Sequence, residues 1–185
     1  MESVSRVNTV KPTVLANDLW HVEFTRRGDR LAHVISQLVD GQARPLLSSI
    51  EGTPSDEWPP SPPLQEVHFE SRSGVELALP VGMAGKSHWS ISIELCVATG
   101  RLTFDVACRV RSVPEFLGST YAILAPAGRD DMHSEPNWKL EVEPIEGQVA
   151  NQIGRSATEL CITAGPTIDR LPATVRWRYV LSADE

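Results

Sequence analysis

The sequence predicts an all-β domain, an antiparallel β-sandwich of about ten short strands with little helix; a closed or partly open β-barrel is the alternative. Three observations predict it. Residues 88–111 hold two runs of strict alternation, Trp89, Ile91, Ile93, Leu95, Val97 and then Leu102, Phe104, Val106, Cys108, Val110, joined by Ala-Thr-Gly-Arg. That pattern is a β-hairpin with one buried face. Short alternating runs recur along the rest of the chain, separated by Gly, Asp and Pro. No long stretch shows the helical period.

With Thr99 and Gly100 as the two loop residues, Val97 faces Leu102, Leu95 faces Phe104 and Ile93 faces Val106. Every apolar residue then lies on one side, and a slip by one residue would expose one strand's whole apolar set. On the polar side Glu94 falls opposite Asp105, where like charges oppose pairing.

Along the chain, residues 1–16 are polar with scattered valines and suit an extended stretch or an edge strand. Residues 19–25 form the first strand, with Trp20, Val22 and Phe24 inward and His21 and Glu23 outward. Arg27-Gly28-Asp29 turns into a strand over 30–39, and Asp40-Gly41 turns into another over 43–50; the three read as a meander. Residues 51–64, EGTPSDEWPPSPPL, are too rich in proline for helix or central strand and favour a polyproline conformation. Strands follow at 65–71 and 75–79, about a Ser73-Gly74 turn, and residues 80–87 read as a Gly-rich connection to the hairpin. Beyond it, 112–120 is irregular, 121–124 a short strand, 126–138 a polar loop and 140–145 a strand. Residues 148–156 are ambiguous and could hold a turn of helix. Strands at 158–163 and 174–181 complete a single domain spanning 1–185.

Composition excludes several classes of function. Lys and Arg number 17 against 24 Asp and Glu, for a net charge of −7. A surface of that sign does not suit non-specific nucleic-acid binding, which must neutralise phosphates. No run approaches membrane-spanning length, and the N-terminal residues lack the apolar stretch of a signal peptide. Cys96, Cys108 and Cys161 are an odd set without framework spacing, and Cys96 and Cys108 point to opposite faces of the hairpin. A reducing, cytoplasmic setting is expected.

Residues 80–87, PVGMAGKS, end like a phosphate-binding loop. However, Pro80 stands where the first glycine belongs, and a strand follows where a helix is needed. No cofactor is expected. The facing Glu94 and Asp105 could share a proton or a cation; Glu66, His68 and Glu70 line one strand face as His21 and Glu23 line another, and they would cluster if those strands were neighbours. The candidate catalytic residues are therefore Glu94, Asp105, His68 and Glu70, each of which also suits a solvated face softened by Arg109 and Arg111. Asp130, Asp131, His133 and Glu135 in the polar loop are weak metal candidates without the ordered spacing of a calcium loop. Trp58, Arg109, Arg111 and Trp138 are the candidate binding residues, with Trp58 on a stiff proline flap.

The sequence is thus read as a non-catalytic binding module for a small polar ligand or a protein partner, without nucleic acid or membrane. A carbohydrate-active or other acid–base enzyme using a carboxylate and His face is the second reading. A structural domain forming a homo-oligomer is the third.

Overall fold

Period-two alternation commits each run to a strand, and side-chain burial alternates along Trp20–Phe24, Ser87–Cys96, Arg101–Val110 and Glu159–Gly165, whereas Arg30–Gln37 is buried on both faces. The computed structural model describes residues 13–124, 138–146, 149–165 and 168–183. They form thirteen strands: β1 (Thr13–Ala16), β2 (Trp20–Arg27), β3 (Arg30–Val39), β4 (Gln42–Ser49), β5 (Glu66–Arg72), β6 (Val75–Ala84), β7 (Ser87–Cys96), β8 (Arg101–Val110), β9 (Gly118–Ile123), β10 (Trp138–Glu143), β11 (Val149–Arg155), β12 (Glu159–Gly165) and β13 (Ala173–Ala183). Sheet A has the order β1-β2-β3-β4-β9-β12-β11 and sheet B the order β10-β13-β8-β7-β6-β5, all antiparallel. The two sheets form a sandwich rather than a closed barrel, and no helix occurs among the described residues.

The chain lays down a meander in each sheet, β1 to β4 and then β5 to β8. It returns to sheet A with β9 beside β4, and closes sheet B with β13 between β8 and β10. Trp20, Val22, Phe24, Ile35 and Leu47 of sheet A meet Ile93, Leu95, Phe104, Val106, Trp177 and Tyr179 of sheet B in one buried cluster. At one end of the sandwich Trp20 Nε1 donates to the Gly100 carbonyl at 2.6 Å, tying β2 to the β7–β8 turn.

The central hairpin keeps the expected faces but not the expected register. Leu95 pairs with Leu102, Ile93 with Phe104 and Ile91 with Val106, two residues away from the two-residue-turn pairing. The connection is a four-residue turn, Val97 to Gly100, closed by Gly100 N donating to Cys96 O at 3.0 Å with Gly100 at φ 62°. A shift of two preserves side-chain parity, so hydrophobicity cannot distinguish the registers; the turn and its anchoring by Trp20 do. In consequence Ser92, not Glu94, stands opposite Asp105.

Two other expectations change. Residues 80–84 are not a connection but the second half of β6, and only Gly85 and Lys86 turn the chain. The ambiguous stretch 148–156 is strand β11 over its described part, paired along β12, instead of a helical turn. A backbone with a sheet edge to complete gains more from the ladder than from an isolated turn of helix.

The proline segment closes the opposite end of the sandwich. Where β4 leaves sheet A, Ser61 takes up the exposed backbone of β9: its Oγ donates to Thr120 O at 2.7 Å and accepts from Thr120 N at 3.1 Å. Leu31 N donates to Leu64 O at 2.7 Å and Gln65 N to Val81 O at 2.8 Å, so the segment bridges both sheets. Pro59, Pro62, Pro63 and Leu64 are buried, and Trp58 packs edge-on against Trp89 with centroids 6.1 Å apart. The approach to β6 is tight enough that only glycine fits at position 82. A Cβ there would lie 1.6 Å from the Pro63 carbonyl oxygen.

Candidate functional site

The outer face of sheet B gathers five of the candidate residues, His68, Glu70, Glu94, Asp105 and Arg109. Registry places Glu143, Arg178, Asp105, Ser92, Leu79 and His68 in one row across the six strands. A second row holds Arg176, Ala107, Ser90, Val81 and Glu66, and a third Thr174, Arg109, His88 and Met83. Glu94 and Glu70 flank Leu77 one row to the other side.

Two kinds of surface share this face. On β8, β13 and β10 the charges are paired: Arg176 Nη2 donates to Asp105 Oδ2 at 2.7 Å, and Arg178 donates to the same oxygen from Nε at 3.1 Å and also from Nη2. Arg101 reaches Glu143 at 2.5 Å. The Asp105 hydrogen bond is the main reason the Arg178 guanidinium holds its proton more tightly than usual. Two arginines thus hold one carboxylate through charge-assisted hydrogen bonds, an arrangement that suits a fixed structural pair.

On β6 the surface is apolar. Leu77 and Leu79 are half-buried, while Val81 and Met83 remain 44% and 43% exposed. They point outward because the alternate positions Ala78, Pro80, Gly82 and Ala84 take the buried side of the strand. The sequence shows the alternation, but reading 80–87 as a connection hid it. Exposed Glu66 and His68, half-buried Glu70 and exposed Arg72 border the stripe on β5; Glu70 ion-pairs with Arg72, and His68 lies 3.9 Å from its carboxylate. The short side chains of Ser90 and Ser92 border it on β7.

The other candidates lie elsewhere. Arg111 follows the end of β8. Trp58 belongs to the proline segment. Trp138 is buried at the start of β10, with the Arg155 guanidinium 5.5 Å above its ring. Asp130, Asp131, His133 and Glu135 lie outside the described residues. Among the described residues no group of three or more His, Cys, Asp and Glu side chains is placed to hold a metal.

Sequence reasoning also missed a polar chain inside the sandwich. Trp177 Nε1 donates to Ser119 Oγ at 3.0 Å, the Tyr179 and Tyr121 hydroxyls are 2.6 Å apart, and His33 Nε2 lies 3.0 Å from Tyr121 Oη. Burial pushes the His33 pKa down to about 4 and that of Tyr179 up to about 12. Beside this chain, Ser49 donates to Glu51 at 2.6 Å while accepting from His33 N at 2.8 Å. Burial raises the Glu51 carboxyl above its usual range, against the pull of Ser49 and Arg30. Arg30 itself is buried under the proline segment, donating to Thr53 O at 2.6 Å. These groups sit beneath packed residues, where they fix the core rather than meet a substrate. Compared with models of protein families, with curated proteins and with solved structures, the chain matches none.

Proposed function

We propose that this chain is a non-catalytic binding module whose partner is a protein, engaged through the outer face of sheet B. The observation that carries this reading is the Leu77-Leu79-Val81-Met83 stripe, two of whose side chains stand more than two-fifths exposed in a field of charge. An apolar centre with a polar rim is the usual anatomy of a protein interface. A small polar ligand asks instead for a concavity with converging polar groups, whereas this surface is an open sheet face. The pairing of Asp105 with Arg176 and Arg178 favours binding over acid–base work.

The test is selection of a phage-displayed random peptide library on the immobilised chain. Enriched peptides should carry apolar residues and lose binding to Val81→Glu/Met83→Glu while tolerating Arg44→Glu on the exposed part of β4. Peptides indifferent to the stripe would sink this reading.

A further inference from the structure

Resting on that reading, we infer that the protein engaged by the stripe is a second copy of this chain, in a two-fold dimer of sheet B against sheet B. The support is that the face complements itself. Ile91, Pro80 and Val67 lie at one level across β7, β6 and β5. A two-fold axis in the plane of contact, crossing the strands at that level, sets Leu79 against Val81 and Leu77 against Met83 of the second copy. The same operation sets His88 against Glu94 and His68 against Glu66, with Ser90 against Ser92. The whole apolar stripe is covered by itself, and each histidine meets a carboxylate on both sides of it. Such reciprocity is what an isologous contact requires.

Carried on to β13, the axis would set Arg176 against Arg178 of the second copy, so the contact is confined to β5, β6 and β7. Arg176, Asp105 and Arg178 sit on β13 and β8, away from β6, and are already paired within one copy. Twisted sheets packed face to face cross at roughly 30°, which carries these strands apart at the rim and leaves their ion pairs in water. The size suits a weak, reversible dimer. Three strands spaced about 4.8 Å and about eight residues of about 3.4 Å give roughly 390 Å² in projection. Accessible area exceeds projection, but a stable interface buries about 800 Å² per partner.

Sedimentation equilibrium of the full chain, from micromolar to millimolar, tests this. A reversible monomer–dimer equilibrium is expected. Val81→Glu/Met83→Glu should weaken it at least ~100-fold, and Ile153→Glu on the β11 edge should leave it unchanged. Glu94→Arg alone should weaken it, and adding His88→Glu should restore it, since the two positions meet only across the two-fold axis. A chain that stays monomeric throughout, a dimer indifferent to the stripe variants, or no rescue by the double charge exchange would overturn the inference. If the chain is monomeric but library peptides still require Val81 and Met83, the dimer fails and the binding face stands. If the peptides ignore the stripe as well, both fall.

Discussion

Burial is the cause that sets the protonation of His33. The ring lies among Phe24, Phe104 and Tyr121, and its Nδ1 has no hydrogen-bond partner among the described residues. Its native pKa of about 4 is below the 6.5 of the unfolded chain. Protons therefore bind the unfolded state first, and the contribution present above pH 6.5 is lost as pH falls towards 4. The difference amounts to about 3 kcal/mol. Glu51 acts in the opposite direction, because a carboxyl raised by burial gains relative stability when acid protonates it. Urea titrations at neutral pH and near pH 4 should show His33→Gln losing about 3 kcal/mol less than wild type. Equal losses would mean that His33 is charged or solvated in the native state. Nothing local in Arg-Leu-Ala-His-Val-Ile marks this residue as buried beside a tyrosine. Tyr121 reaches it from a strand far along the chain, and such a contact leaves no local pattern.

At the scale of elements, parity was legible and register was not. The apolar faces of β2, β7, β8 and β13 follow directly from alternation, because a reversed face would bury charge. Ile93→Asp on β7 should accordingly unfold the chain, with no cooperative thermal transition by circular dichroism, since it leaves an unpaired charge at a fully buried site. The β7–β8 register depended on a four-residue turn held by Trp20, a contact between distant segments. The outward stripe of β6 was obscured by its inward neighbours. Pro80, Gly82 and Ala84 look like loop residues until the proline segment is seen to press on β6 at Gly82. That contact is testable. Gly82→Ala should cost at least about 3 kcal/mol by forcing Pro63 away from β6, and should open residues 51–64 to limited proteolysis. An unaltered digestion pattern would mean the segment is not docked there. Ser61→Ala, which removes two buried hydrogen bonds to Thr120, should cost about 1–2 kcal/mol in a urea melt.

For the whole molecule, frequent turns and short alternating runs identified the sandwich. The path between sheets was not readable, since strands such as β9 and β13 find neighbours across long intervals of chain. That path assembles the candidate site. Because β5, β6, β7, β8 and β13 are consecutive neighbours in sheet B, His68, Glu94, Asp105 and Arg109 share a face that their sequence positions do not reveal. The same order sets the apolar stripe between two charged margins, giving this face an interface-like surface.

Hydroxyl-radical footprinting of the full chain, with and without a saturating library-selected peptide, tests that claim most directly. Labelling of Val81, Met83 and His88 should fall together on binding, while exposed Val113 and Ile153 keep theirs. Protection centred on Val113 or on β11, with Met83 still labelled, would contradict the account.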